Sequence, residues 1–179
     1  DLTNNGGSIV MDTLDAADGA KVTADATGEF RAETVTATAG ENTSGSEITV
    51  RVDGDITLDT LDIEDSSVDF TGEGMFTARY VEADRSRLEI DVLNDLRIFD
   101  ETNDSISDQD LVKDVLVLRD MNREDTVKGT DIVRGAFLTS RNGAVDSTHD
   151  DYNVYTAADG NAYFLQDGQW YELETENGS

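Results

Sequence analysis

Polar and apolar residues alternate along much of the first hundred positions of this chain. The run Ile48-Thr49-Val50-Arg51-Val52 is one example, and Leu88-Glu89-Ile90-Asp91-Val92 is another. A period of two places successive side chains on opposite faces of an extended chain, which is typical of a β-strand and not of a helix. The pattern therefore predicts several short strands, each of about four to seven residues, joined by short turns.

The same stretch contains an internal repeat. The motif Thr13-Leu14-Asp15 recurs as Thr60-Leu61-Asp62, and from Val22 onward residues match at an offset of 46. Further along, Ile48-x-Val50-x-Val52 matches Leu88-x-Ile90-x-Val92 at an offset of 40, so the first copy carries six extra residues, which fall within 39–45. Within 13–99 we therefore expect two tandem β repeats, 13–58 and 60–98, with a loop at the insertion.

Tandem all-β repeats predict a parallel β-solenoid, in which each coil buries its inner face on the next. A β-sandwich built from duplicated sheets is the alternative, because its strand spacing looks similar in a sequence. We favour the solenoid because very short corners join the runs and few hairpin dipeptides occur. Residues 1–12 are expected to form an N-terminal strand or arm, either donated to a neighbouring molecule or frayed.

The second half of the chain departs from the repeat. Residues 100–110 form an acidic connector, and 111–179 are expected to be mostly β. The apolar run 111–118 is compatible with a short helix or a buried strand. Toward the end, Asp159-Gly160 and Asp167-Gly168 separate three aromatic-rich runs. Because Asp-Gly between alternating runs is a strong hairpin signal, a three-stranded meander is predicted over 152–174.

Net charge narrows the possible partners. The chain has 40 Asp and Glu against 13 Lys and Arg, a net charge of -27, while 37% of its residues are hydrophobic. That hydrophobic content favours a folded chain over a disordered one. A surface of this sign repels nucleic acid and anionic lipid headgroups, and no run approaches the roughly 18 apolar residues of a membrane span. We expect neither nucleic acid as a partner nor direct membrane insertion.

No catalytic signature is present. The single histidine, His149, lies in a polar stretch typical of a solvated loop, and the chain has no cysteine. Pairs of carboxylates, which glycoside hydrolysis requires, arise by chance throughout a chain with this many acidic residues. We therefore assign no catalytic residues and expect the protein not to be an enzyme.

Calcium is the one cofactor for which the sequence offers ligands. The connector carries carboxylates at a loop-like spacing, although Ser105 and Leu111 stand where an EF-hand requires glycine and glutamate. Ca²⁺ takes six to eight oxygen ligands, so an acidic loop of this kind predicts a calcium site. Its candidate ligands are Asp100, Asp104, Asp108 and Asp110.

Two further motifs indicate surface roles. Three Asn-x-Ser/Thr sequons predict exposed glycosylation sites at Asn42, Asn103 and Asn177. An aromatic cluster near the end of the chain is expected to form the core of a small sheet, with a sugar-stacking face as the alternative. The cluster consists of Tyr152, Tyr155, Tyr163, Phe164, Trp170 and Tyr171.

In composition the chain resembles haloarchaeal extracellular surface and appendage proteins and the structural proteins of haloarchaeal viruses: acidic, poor in lysine, free of cysteine and rich in β-formers. Residues 8–98 are also similar to the polymer-forming repeats of bactofilins. These resemblances imply a non-enzymatic, extracellular structural subunit of a halophile that assembles with copies of itself into a pilus-like filament or a surface layer.

The alternatives that the sequence leaves open are a viral capsid decoration, tail or spike protein and a secreted polysaccharide-binding or polysaccharide-degrading protein. The expected partners are copies of the same chain and other surface or virion proteins. The expected location is extracellular, on a cell surface or in a virion.

Overall fold

The computed structural model describes residues 1–41, 43–98, 116–119, 135–147, 153–156, 162–166 and 169–173. Within these ranges the chain is all β and no residue is helical. The strands are β1 (Leu2–Asn4), β2 (Ile9–Ala16), β3 (Lys21–Ala26), β4 (Phe30–Thr38), β5 (Glu47–Val52), β6 (Ile56–Glu64), β7 (Ser67–Gly72), β8 (Phe76–Asp84), β9 (Arg87–Val92), β10 (Leu96–Ile98), β11 (Leu116–Arg119), β12 (Gly135–Ser140), β13 (Val145–Ser147), β14 (Asn153–Thr156), β15 (Ala162–Gln166) and β16 (Gln169–Leu173).

Successive strands alternate between two parallel sheets. Sheet 1 has the order β1-β3-β5-β7-β9-β12, and sheet 2 has the order β13-β10-β8-β6-β4-β2, with β11 pairing the second half of β8. One strand of each sheet makes one coil, so the predicted parallel solenoid-like arrangement is confirmed. The predicted meander also forms, as the antiparallel sheet β14-β15-β16. Of the run 111–118, the described residues belong to strand β11.

One regular coil is 20 residues long. Ile56 pairs with Phe76, and Phe76 pairs with Leu96, each 20 positions further along the chain. Phe30 pairs with Ile56 at a distance of 26 positions, because six extra residues lie between β4 and β5. The sequence offset of 46 therefore relates residues two coils apart, as 26 plus 20.

Large and small side chains alternate from coil to coil inside the solenoid. One inward row of sheet 2 consists of Ala32, Leu58, Ala78 and Ile98, all buried. The next consists of Val35, Leu61, Val81 and Leu116. A large residue in one coil fills the space above a small residue in the next, which gives dense packing without overlap. Core volumes therefore repeat every two coils although the backbone repeats every coil.

Aromatic side chains join the two sheets at the centre of the core. Phe70 on β7 has its ring centroid 6.5 Å from that of Phe30 and 5.5 Å from that of Phe76. All three rings are fully buried. Phe30 and Phe76 lie two coils apart in one row of sheet 2, so the single ring from sheet 1 contacts both.

The long strands of sheet 2 bend in the middle. In β4 the inward side chains are at Phe30 and Ala32 and then at Val35 and Ala37, so two consecutive residues, 33 and 34, face outward between them. The ladder between β4 and β6 skips Glu33 at the same point. Both halves of the strand thereby direct apolar side chains into the core.

Glycine occupies the corner at which the chain passes from sheet 1 to sheet 2. The backbone N–H of Gly54 donates a hydrogen bond to the carbonyl of Gly28 at 2.9 Å, and that of Gly74 donates to the carbonyl of Gly54 at 3.1 Å. A Cβ atom placed on Gly54 would lie 2.7 Å from the Gly28 carbonyl oxygen. At Gly54 the neighbouring coils can approach this closely because the residue has no side chain.

Serine occupies the opposite corner, where the chain returns to sheet 1. The buried residues Ser46, Ser66 and Ser86 stack on one another in successive coils. The N–H of Ser46 donates to Oγ of Ser66 at 3.0 Å, and the N–H of Ser66 donates to Oγ of Ser86 at 3.2 Å. Because a buried N–H must find an acceptor, these small hydroxyl groups satisfy the backbone without filling the corner.

We predict that Gly54→Ala lowers the free energy of unfolding by about 1–3 kcal/mol, since the added methyl group collides with the backbone of the preceding coil. Chemical denaturation followed by circular dichroism measures the change. Gly6→Ala is the matched control, because a Cβ at Gly6 meets no atom within 4 Å. Equal stability of the two variants would contradict the close approach at this corner.

Candidate assembly surface

The site residues predicted from sequence lie outside the part of the chain that the structure describes. This applies to the calcium ligands Asp100, Asp104, Asp108 and Asp110, to the sequons at Asn42, Asn103 and Asn177, and to His149. Among the described residues, no three or more Asp, Glu and His side chains converge in a way that would hold a metal ion. The calcium and glycosylation sites therefore stay predictions.

The members of the aromatic cluster other than Tyr152 lie on the strands of the meander. Tyr155 is on β14, Tyr163 and Phe164 are on β15, and the remaining two are on β16. Tyr155 pairs with Tyr163, and Phe164 pairs with Tyr171, as cross-strand neighbours. The strand register therefore places these aromatic positions in the three-stranded meander, and their role as its core or as a sugar-stacking face stays a prediction.

Acidic residues stack in rows on the outside of sheet 2. Outward positions in successive coils align Asp15, Thr36, Asp62 and Glu82. Parallel neighbours are about 4.8 Å apart, so Asp62 and Glu82 are held close in space. Partial burial, and after it the negative charges of Glu82 and Glu64, raise the pKa of Asp62 above its ordinary value of 3.8. Among the described residues, no cation pairs with Asp62.

One arginine partly compensates the charge of three neighbouring carboxylates at the serine corner. The guanidinium of Arg85 contacts Asp65 at 2.8 Å, Asp84 at 2.8 Å and Glu64 at 2.9 Å. Hydrogen bonds to Asp65, followed by the nearby negative charges, raise the pKa of Arg85. Arg85 thus links two coils by ion pairs at the serine corner. The carboxylates around Arg85 have a cationic partner, whereas Asp62 has none among the described residues.

Sheet 1 carries a similar pair of stacked carboxylates. Asp69 aligns with Glu89 in the next coil, and burial, followed by the charge of Glu89, raises the pKa of Asp69. Each of these two carboxylates has a polar partner nearby. The Thr71 hydroxyl donates a hydrogen bond to Asp69 at 3.3 Å, and Arg87 contacts Glu89 at 2.7 Å. The Arg87 guanidinium also lies 4.3 Å from the centroid of the Phe137 ring, at cation–π distance.

A shallow groove of about 290 Å³ lies beside the corner of the first four coils. Polar groups from successive coils line it, including Asn4, Asp25, Arg51 and Asp53. Arg51 and Asp25 are 3.8 Å apart, and both side chains are about half exposed. The groove therefore presents paired charges to solvent and no pocket that excludes water.

The first coil leaves two strand edges unpaired within the described chain. β1 pairs only with β3, and β2 pairs only with β4. Residues 1–12, predicted to be a strand or arm, thus contribute β1 and the start of β2 to their own solenoid. An edge of this kind presents free N–H and C=O groups that another strand can bond.

The first coil also carries the exposed apolar residues. Among the described residues, the large hydrophobic side chains that are exposed are Leu2, at 40% exposure, and Val10, at 66%. Ile9 and Met11 are only partly buried, whereas Phe30 and Ala32, which follow them in the same inward rows, are buried. The solenoid core is therefore incompletely covered at this end.

Sequence reasoning missed a signal for this surface. Residues 2–11 are ten consecutive uncharged residues, the longest such run in a chain of which 30% is charged. The alternation of apolar and polar residues indicates the repeated strands, whereas it is the absence of charged residues that distinguishes the first coil.

No comparison identifies a relative. The chain matches no protein-family model, no curated protein and no solved structure. The part of the chain that the structure describes also contains no helix of the length and hydrophobicity needed to cross a bilayer. Function must therefore be argued from the surfaces themselves.

Threonine already occupies the equivalent position of the preceding coil, Thr36. We predict that Asp62→Thr stabilises the fold at low salt by less than about 1 kcal/mol. The raised pKa means that ionised Asp62 destabilises the folded state at neutral pH, and protonation relieves this as the pH falls. The gain in stability from Asp62→Thr should thus vanish below pH 3.8 and become smaller in molar salt.

Chemical denaturation across a matrix of salt and pH measures this effect. Asp59→Asn is the control on the same strand, because Asp59 lies 3.9 Å from Arg79 and its neutralisation removes an attraction. If Asp62→Thr were destabilising at low salt, or if its gain grew with added salt, repulsion within this row would be disproved.

Proposed function

We propose that this chain is a non-enzymatic, extracellular structural subunit of a halophile that assembles with copies of itself into a pilus-like filament or a surface layer. The observation that carries the proposal is the pair of unpaired strand edges, β1 and β2, at the end of a solenoid. Strand edges of this kind associate with other strands through main-chain hydrogen bonds.

The acidic exterior supports a protein that works in concentrated salt. A net charge of -27 makes copies of the chain repel one another at ordinary ionic strength. In molar salt the Debye length falls to about 3 Å, and the repulsion between separate molecules is largely screened. Stacked carboxylates such as Asp62 and Glu82 are tolerated under the same conditions.

The solenoid itself suits a structural role. Each regular coil adds one strand to each sheet and extends the same core, so the scaffold is built from interchangeable layers. The described surface presents rows of aligned polar residues along its strands and a shallow groove. These features support a scaffold role.

We predict that the purified chain forms ordered assemblies in molar salt and dissociates on dilution, because salt screening controls the approach of like-charged copies. Electron microscopy and analytical ultracentrifugation across a salt series measure this. The same chain at low salt is the control. A stable monomer at every salt concentration would contradict the proposal.

A further inference from the structure

We propose that two copies of this chain meet through their first coils, the same surface on each copy, related by a two-fold axis. We define the first-coil surface as residues 2–11, which include β1 and the start of β2. This inference rests on the proposed self-assembly and names its first contact: a two-fold contact closes as a pair, and a filament or layer is built from such pairs through a second surface.

Charge argues for this surface. Two chains that each carry a net charge of -27 approach most easily where neither presents a charged side chain. Residues 2–11 form the longest uncharged run in the sequence. Elsewhere, the outward rows of both sheets carry carboxylates, as at Asp62 on sheet 2 and Asp69 on sheet 1.

Apolar exposure points to the same place. Leu2 and Val10, the exposed large hydrophobic residues of the described chain, both lie in the first-coil surface. Leu2 continues the inward row of Ala24, and Ile9 continues that of Phe30, so the partly covered core ends here. A partner that covers this end removes apolar area from water, which favours association.

Backbone geometry is compatible with a two-fold contact. A two-fold axis pairs identical edges in antiparallel orientation, so residue i of one copy contacts residue j of the other and the reverse. The edges of β1 and β2 in one copy would thus meet the corresponding edges in the second copy. At the opposite end of the described solenoid, β14 lies close to β12, so the two ends differ in what surrounds them.

Site-specific cross-linking tests the surface, because the chain has no cysteine. The test variant is Val10→Cys, and the control is Thr77→Cys, which lies in the same outward row of sheet 2. A monofunctional maleimide first verifies that both thiols react. A short bismaleimide in molar salt should then give a species of twice the 19.5 kDa chain mass with Val10→Cys, and at least tenfold less of it with Thr77→Cys.

Equal cross-linking of both variants, or none with Val10→Cys, would overturn the inference. Electron microscopy of the cross-linked species should show two solenoids joined end to end with two-fold symmetry, and a head-to-tail arrangement would also overturn it.

Charge substitution separates this inference from the proposed function. Val10→Asp should abolish the two-fold pair while circular dichroism stays unchanged, and Thr77→Asp should leave the pair intact. If Val10→Asp assembles as well as the unmodified chain, the first-coil surface is wrong although self-assembly stands. If the unmodified chain does not assemble in molar salt at all, the proposed function itself fails.

Discussion

Parallel, in-register hydrogen bonding between successive coils is the constraint on which the rest of this structure depends. It places each residue directly above its counterpart 20 positions earlier in the regular coils, as Phe76 lies above Ile56. Inside the solenoid, stacking allows large and small apolar residues to alternate and fill the core. At two corners the backbones of neighbouring coils approach closely, and glycine or buried serine occupies most of the coils there.

The same register creates the electrostatic problem on the outside. Stacked carboxylates cannot move apart without breaking the ladder, so they need either an arginine or a screening solvent. Arg85 serves three carboxylates at one corner, while Asp62 has no cation among its described neighbours. The register also leaves strand edges unpaired at the first coil. Charge repulsion over the sides and the absence of charge in residues 2–11 together make the first-coil surface the favourable place for contact.

Much of this fold could be predicted from sequence, because successive side chains of a strand point inward and outward in turn and so alternate between apolar and polar. The run Ile48-Thr49-Val50 reads as a strand, and its inward residues Ile48 and Val50 are buried. The 20-residue coil was harder to recognise, because Phe30 resembles Phe76 two coils away more than it resembles Ile56 in the next coil. The candidate surface was not predictable from motifs, since it is defined by missing charge and unpaired edges.

The central claim, a solenoid with a regular coil of 20 residues, is tested most directly by the distance between Thr57 and Thr77. These residues are parallel neighbours on β6 and β8, at a strand spacing of about 4.8 Å. Nitroxide labels on a Thr57→Cys, Thr77→Cys double variant, diluted with unlabelled protein, should show strong dipolar broadening in the electron paramagnetic resonance spectrum. A spectrum equal to the sum of the two single variants would contradict the account.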